Sequence, residues 1–282
     1  MLVLIGLDRY ATNMKMPLDD YYFEKSSADG YAFLGIARYM LNKDWSSCFN
    51  VVNVKGPRLC ANWINNGTQL NKNTVYAYTC WPIYEFYQLV GDNSGMKKII
   101  RVMDDEIGFY EPGVFRYCDM EIDYVVPNVS ATAALTYARH GEKEQAKTLI
   151  ENLRKEQAEN GNWFYTNKRD RGVNPLEDTS HLSMMVIALR EIEELGFDTV
   201  GMVSKAIKYL RRDNQINVKP GSIGWGGAYL YLATLGLDEK LNKRAYEMCK
   251  KTIKHRNFRT RAITLWALVK GESWKNTMKQ EG

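Results

Sequence analysis

The segment QAENGNWFYTNKRDRGVNPLEDTSH, residues 157–181, joins two strongly helical stretches of the chain. It opens with an aromatic loop that contains Trp163 and Tyr165. It closes with a carboxylate and an imidazole, Asp178 and His181, at the start of the next helix. Aromatic rings beside acid and base groups are the side chains that a sugar-handling site uses. The segment therefore bears on both the architecture and the function of the protein.

Candidate helices of one type recur on both sides of this segment. Their residues are small, apolar or aromatic on nearly all faces, which is typical of helices that are buried on both sides. The interval between them is about 50 residues over the first five helices and shorter before the last. They begin near Tyr31, Tyr78, Pro127, Asp178, Trp225 and Arg259.

A second type of helix alternates with the first. In residues 142–157, apolar side chains such as Ala146, Leu149 and Leu153 recur at spacings of three and four, with charged residues elsewhere. This pattern predicts an outer layer with one face in solvent. The other helices of this type are predicted at residues 96–107, 199–212 and 238–255.

The alternation of buried and amphipathic helices predicts a two-layered helical solenoid. With about five to six helical hairpins the solenoid can close, so we predict an all-α fold, an α/α-toroid. An ordinary helical bundle is the alternative, but it leaves the regular alternation unexplained. Because no linker-like tract interrupts the chain, residues 1–282 are predicted to form one domain, with 1–28 as an N-terminal extension.

Two stretches do not follow the helical rhythm. MLVLIGL at the start of the chain and SSCFNVVNV at residues 46–54 are interpreted as short strands or loops. The surrounding link, residues 42–73, is interpreted as a further helix or a short hairpin.

Three passages, VPNVSATAALTYARHG, QAENGNWFYT and EDTSHLSMMVIAL, resemble the inner-helix and loop pattern of α/α-toroid carbohydrate enzymes. That superfamily includes six-hairpin glycosidases, uronate-polymer lyases and related epimerases, and the terpenoid-cyclase and prenyltransferase toroids carry a similar Gln-Gly-Trp loop. The matching loop residues here are Gln157, Gly161, Trp163 and Tyr165. The resemblance covers residues 125–195 and extends to the rest of the chain by helix rhythm. It implies a toroid whose loop leads to an acidic patch at the next inner helix.

Asp178 and His181 are the predicted acid/base pair. If Asp178 caps the helix, His181 lies one turn further along and close to it. A neighbouring carboxylate raises and orients the basicity of an imidazole. Glu177 and Asp123 are predicted as supporting catalytic carboxylates, because the inner helices of a toroid all begin at the same rim. The structural alternative is that Asp178 is only a helix cap and His181 a buried residue with satisfied hydrogen bonds.

A second group of residues is predicted to bind the substrate. Its aromatic members offer faces on which sugars stack, and its polar members can hold hydroxyl or carboxylate groups. Core packing is the alternative for each aromatic residue. The group consists of Trp163, Tyr165, Asn128, Arg169, Arg171, Tyr124, Trp225 and Trp81.

The composition argues against other classes of protein. The net charge is +5, which is too mild for a nucleic-acid groove. Residues 250–261, KKTIKHRNFRTR, are the densest basic cluster; we interpret them as a solvated helix end, although an acidic glycan fits their charge. The five cysteines form no CxxC pair, so neither a zinc ribbon nor a redox motif is supported. The spacing of Cys118, Asp119 and His181 does not match a zinc set, and we predict neither a metal nor a cofactor. Without a signal segment or an apolar run of the ~20 residues that a membrane span needs, a soluble cytoplasmic protein is predicted.

These features predict an enzyme that acts on a polysaccharide, uronate-containing polymers included, by acid/base hydrolysis, β-elimination or epimerisation at the toroid rim. Converging carboxylates would favour hydrolysis, whereas a single histidine with arginine and tyrosine nearby would favour lyase or epimerase chemistry. A non-catalytic toroid that binds a glycan or a protein remains an alternative, as does an isoprenoid-handling toroid with a deep apolar cavity. The predicted partner is a carbohydrate, with no nucleic acid or membrane involved, and the sequence leaves the oligomeric state open.

Overall fold

A computed structural model of the chain describes residues 2–14, 28–58, 63–65, 68–70, 74–120, 126–164, 178–212, 223–255 and 257–281. Helices dominate this part of the chain. In chain order they are α1 (Leu2–Asn13), α2 (Ala28–Met40), α3 (Ser46–Lys55), α4 (Ala77–Val90), α5 (Asn93–Arg101), α6 (Pro127–His140), α7 (Lys143–Glu156), α8 (Thr179–Glu194), α9 (Val200–Arg212), α10 (Ile223–Thr234), α11 (Glu239–Thr252) and α12 (Phe258–Glu281). A π-helical turn, Val102–Ile107, extends α5.

Two short antiparallel hairpins complete the described elements. Strand β1 (Trp63–Asn65) pairs with β2 (Thr68–Leu70), and β3 (Phe109–Glu111) pairs with β4 (Val114–Phe115). No described helix combines the length and the apolar character that crossing a membrane requires.

Six helices form a closed inner ring. Helices α2, α4, α6, α8, α10 and α12 each pack against the next, and α12 packs back against α2. Helices α3, α5, α7, α9 and α11 each pack on the inner helix that precedes them in the chain. Helix α1 lies against α12 and α2, so the first and last helices form the sixth pair. The predicted all-α fold, an α/α-toroid of helical hairpins, is confirmed.

The inner helices are buried on nearly all sides, as their composition predicts. In α6 every residue from 127 to 137 is buried. The helix begins at Pro127, whose missing N–H falls where a helix has no acceptor for it. It ends at Gly141, whose φ of 91° lies in the left-handed region that glycine adopts without strain. The short turn that follows leads directly into α7.

The outer helices bury one face only. In α7 the buried residues are Ala146, Leu149, Ile150 and Leu153, the stripe that the sequence spacing predicts. The predicted helix at residues 96–107 begins earlier, at Asn93, because the Asp92 side chain caps it by accepting from the Gly95 N–H. The two-layer prediction is therefore confirmed helix by helix.

The stretches interpreted as strands or loops are helical instead. Residues 2–13 form α1, and residues 46–55 form α3. In α3, Cys48 and Val52 stand one turn apart and both are fully buried, so helical spacing rather than alternation brings them onto the inner layer. Both alternatives for the link are present, since it contains α3 and the β1–β2 hairpin.

The two ends of the ring differ in their connections. Connections from an inner helix to an outer one are short: residues 41–45, 91–92, 141–142, 195–199 and 235–238. Connections from an outer helix to an inner one are mostly longer: residues 14–27, 56–76, 108–126, 157–178, 213–222 and 253–257. We call the end where the inner helices begin the rim, and the opposite end the base. Binding sites concentrate on loops carried by a rigid scaffold, which favours the rim as the functional end.

Aromatic side chains fill the centre of the ring. The ring of Phe33 lies 4.6 Å from that of Trp266 and 5.8 Å from that of Trp81, between centroids. Tyr229 lies 6.1 Å from Trp266 on the rim side. All four side chains are almost completely buried. They form a packed aromatic floor beneath the rim.

At the base, four charged side chains from four inner helices form a closed network. The Lys270 Nζ lies 2.9 Å from Oε1 of Glu85 and 2.7 Å from Oε1 of Glu191. Arg139 contacts the same two carboxylates. Burial alone would raise the pKa of Glu85, but Lys270 and Arg139 outweigh it and lower that pKa to about 2. We call Glu85, Arg139, Glu191 and Lys270 the base network.

Candidate active site

Asp178 caps helix α8 at the rim, as the sequence predicts. Its Oδ1 accepts the backbone N–H groups of Ser180 and His181 at 2.8 and 3.0 Å. These are two of the donors that every helix start leaves without an intrahelical acceptor. The cap fixes the direction of the carboxylate, so its second oxygen is available to a side chain one turn along.

That side chain is His181. Its Nδ1 lies 3.0 Å from Oδ2 of Asp178. Burial opposes the charge of Asp178, yet the His181 side chain and the backbone donors outweigh it and lower the pKa of this carboxyl. An ionised carboxylate at this distance from Nδ1 favours a proton on that nitrogen. Asp178 thus orients the imidazole and is itself ionised near neutral pH.

Trp225 stands against the imidazole. The two rings meet edge to face, with centroids 5.6 Å apart. Trp225 opens the next inner helix, α10, and its side chain is partly exposed. The His181 side chain is 20% exposed. An accessible imidazole therefore lies beside an indole that solvent can also reach.

Arg259 also contacts Trp225. Its Cζ lies 5.5 Å from the centroid of Trp225 and 5.5 Å from that of Tyr78. Its Nε and Nη2 lie 2.7 and 2.6 Å from Oδ2 of Asp29, which is fully buried on α2. The Arg259 side chain is 24% exposed. Within the described part of the chain the guanidinium is held by one carboxylate and two aromatic rings, and part of its surface is exposed.

Two tyrosines lie beneath Arg259. The hydroxyl groups of Tyr78 and Tyr229 are hydrogen-bonded to each other. Burial raises the pKa of Tyr78 well above its usual range, so the pair remains neutral and acts through hydrogen bonds. Tyr229 also contacts Trp225, with ring centroids 5.5 Å apart. Tyr78 thus links Arg259 at the rim to Tyr229 in the aromatic floor.

Three predicted substrate-binding residues are buried. Trp163 is fully buried, and its Nε1 donates to the Leu153 carbonyl at 2.8 Å. Trp81 is 1% exposed and belongs to the aromatic floor. In this structure neither ring offers a free face, because each is needed to fill the space between helices. Asn128 is at the rim but 3% exposed, and its Oδ1 has no hydrogen-bond partner in the described part of the chain.

Trp225 is the predicted substrate-binding residue that the structure brings to Asp178 and His181. The remaining predicted site residues lie outside the described residues. These are Glu177, Asp123, Tyr165, Arg169, Arg171 and Tyr124.

Sequence reasoning did not identify Asp29, Tyr78, Tyr229 or Arg259 as site residues. Each lies in the first turns of an inner helix, and three of these helices were predicted from their rhythm to begin close to Tyr78, Trp225 and Arg259. The signal was therefore positional: polar residues at the start of every repeat face the same rim. Among the described residues, no three His, Cys, Asp or Glu side chains gather as a metal site requires.

Comparisons with known proteins agree with this architecture. No protein-family profile and no curated protein matches the sequence. Solved structures do match it. Rex8A from Paenibacillus barcinonensis, solved in complex with xylose, aligns over 95% of this chain and 92% of its own with a TM-score of 0.66 and 11% identity.

Two further solved structures share the fold. A family 105 glycoside hydrolase of C. acetobutylicum aligns over 96% of this chain and 98% of its own, with a TM-score of 0.59 and 13% identity. The family 76 glycoside hydrolase (mannosidase) Bt3792 of Bacteroides thetaiotaomicron aligns over 100% of both chains, with a TM-score of 0.56 and 11% identity. At such identities the likeness establishes the α/α-toroid architecture and does not extend to the reaction.

Proposed function

We propose that the protein is a carbohydrate-active enzyme that binds a polysaccharide across the rim and uses His181 as its acid/base group. One observation carries the proposal: an oriented, partly exposed imidazole lies against Trp225 at the rim. The fold supports the substrate class, since Rex8A was solved with xylose bound and the other two neighbours are glycoside hydrolases.

The charge of Asp178 favours proton abstraction over hydrolysis by this pair. Glycoside hydrolysis needs a carboxyl group that is protonated when the reaction starts. Because the pKa of Asp178 is lowered, it does not serve as that acid and instead stabilises a protonated His181. A histidine base beside Trp225, with Arg259 against the same indole, suits removal of the proton next to a uronate carboxylate. β-Elimination and epimerisation both begin with that step.

Hydrolysis is the second candidate, and the glycoside hydrolase neighbours favour it. It would take its acid from Glu177 or Asp123, which lie outside the described residues. The isoprenoid alternative has less support, because the central aromatic rings pack against one another as a floor.

A polysaccharide panel tests the proposal. Neutral and uronate-containing polymers are incubated with the wild type, and both reducing ends and the absorbance of unsaturated uronates are followed. We expect activity on a uronate polymer, with loss in His181→Ala and a smaller loss in Asp178→Asn. Reducing ends with new absorbance indicate elimination, and reducing ends alone indicate hydrolysis.

His140→Ala is the matched control, because His140 lies at the base of the ring, in contact with Tyr84. The site assignment fails if both rim variants match the wild type on every polymer that it consumes. If polymers bind but no product of any kind forms, including a C5 epimer detected by NMR, the protein is a glycan-binding toroid.

A further inference from the structure

A small pocket opens beside the rim, where the ends of α1 and α11 meet the first turn of α12. Its volume is about 230 Å³. Since one water occupies about 30 Å³ of liquid, an oxyanion with part of its carrier fits inside. The described lining residues are Tyr10, Asn13, Met14, Ile253, Lys254 and Arg261.

The pocket has a positively charged lining and an apolar inner side. Met14 and Ile253 are each 4% exposed and form its inner side. Of the described residues that line it, Lys254 and Arg261 are cationic and none is acidic. Both cations belong to the basic cluster of residues 250–261, for which the proposed reaction gives no role. An anionic ligand is therefore favoured over a neutral one.

Arg261 is the residue that points to a ligand. Its Nε is shielded from solvent and has no hydrogen-bond partner in the described part of the chain. A buried donor on a charged group is unfavourable unless an acceptor reaches it. The planar guanidinium matches the paired oxygens of carboxylate, sulfate and phosphate groups. The missing acceptor is thus most simply an oxyanion in the adjoining pocket.

We propose that the pocket of Lys254 and Arg261 binds an oxyanion, a carboxylate or sulfate group carried by the glycan that occupies the rim. The source of the anion rests on the proposed function; the anion site itself does not. Arg259 stands two residues before Arg261 in the same helical turn and contacts Trp225 and Asp29. A glycan that crosses the start of α12 would meet the central site first and this pocket second.

Calorimetric titration with an oligogalacturonate of defined length tests the proposal, with its methyl ester as the uncharged probe of the same backbone. The variants are Lys254→Gln and Arg261→Gln, and the matched control is Lys251→Gln, an exposed cation of the same cluster outside the pocket. We expect each pocket variant to weaken oligogalacturonate binding about tenfold and the control less than about twofold. The ester should bind the wild type about tenfold more weakly. Because Lys254 is exposed, its variant tests the site even if Arg261→Gln does not fold.

The outcomes separate the possible sources of the anion. Equal weakening by all three lysine and arginine variants would mean nonspecific attraction and overturn the proposal. Equal affinity for acid and ester would overturn it as well. Inorganic sulfate is titrated alone as the second experiment. If sulfate binds the wild type but not Arg261→Gln, while the oligogalacturonate binds neither protein, the pocket binds a free anion, and the glycan is not its source.

The proposed function and this inference fail in different ways. If His181→Ala turns over every substrate as the wild type does, while the pocket variants still weaken oligogalacturonate binding, the catalytic proposal fails and the anion site stands. If His181→Ala abolishes turnover and the pocket variants leave affinity unchanged, the catalytic proposal stands and the anion site fails.

Discussion

Among the described residues, Lys270 at the base of the ring contacts two carboxylates, whereas Arg259 at the rim contacts one. In the base network every charge is shared within a closed cycle, and the four side chains are 6–13% exposed. At the rim, Arg259 pairs with Asp29 and His181 with Asp178, and Arg259 and His181 keep 24% and 20% of their side-chain surface exposed. The same fold thus buries charge at one end of the ring and leaves charge partly exposed at the other end.

Removing a cation from the base network should have the largest effect on stability. Lys270→Met leaves Glu85 and Glu191 buried with Arg139 alone, so we expect the free energy of unfolding to fall by about 3–5 kcal/mol. Denaturant titration followed by circular dichroism measures this. The matched control is Lys250→Met, whose surface pair with Glu247 should contribute less than about 1 kcal/mol. Equal losses in the two variants would remove the distinction between a closed buried network and a surface pair.

Low pH should destabilise the protein by protonating Glu85 in the base network. Its pKa is 4.5 when unperturbed and about 2 in the fold, so its contribution is fully present above about pH 4.5 and is lost as the pH falls towards 2. We expect this group to account for about 3 kcal/mol of stability across that window. Unfolding measured between pH 2 and pH 6 should therefore show a steeper slope for the wild type than for Glu85→Gln. Identical slopes would show that the network does not hold Glu85 ionised.

Variants of His181 and His140 allow a direct comparison of the rim with the base. His181→Ala should lower kcat/KM by about a hundredfold on the polymer identified in the panel, because acid/base groups contribute on that order. Its stability should change by less than about 1 kcal/mol, since the side chain is partly exposed. His140→Ala loses the contact of its Nδ1 with the Tyr84 hydroxyl at 3.1 Å, so it should lower stability by about 1 kcal/mol and leave kcat/KM unchanged. The reverse pattern would place the chemistry at the base.

Asp178→Asn should have the smallest effect. Asparagine caps a helix about as well as aspartate, so stability should change by less than about 1 kcal/mol. Loss of the charge beside His181 should lower kcat about tenfold, because the carboxylate no longer stabilises the protonated imidazole. Asp238→Asn is the control, because Asp238 caps α11 away from the rim residues, with its Oδ1 2.9 Å from the Leu241 N–H. If the two variants have equal kcat, Asp178 is a cap and nothing more.

The local part of the site was predictable from the sequence. The spacing of Asp178 and His181 places them on consecutive turns of one helix, and the structure confirms both the cap and the contact between them. The aromatic residue Trp163 was equally conspicuous in the sequence but is buried in the wall. Composition marks an aromatic side chain as large and apolar and does not say which side of a loop faces the protein interior.

The long-range part of the site was not predictable. Asp29 and Arg259 are separated by 230 residues, and they meet only because the last inner helix packs against the first. The base network depends on the same closure, since its members come from four different inner helices. Because these residues are on different helices, the spacing of residues within one helix does not predict their contacts.

By itself the sequence determined the helical period, the two classes of helix, most of their starting points and the capped pair at residue 178, because each depends on side chains a few positions apart. Tertiary structure decided which ends of the helices meet, which aromatic rings fill the centre and which charges become paired. Ring closure is the physical reason. A set of amphipathic hairpins can bury its apolar faces in more than one arrangement, and only the closed ring brings Asp29, Tyr78, Trp225 and Arg259 to one rim.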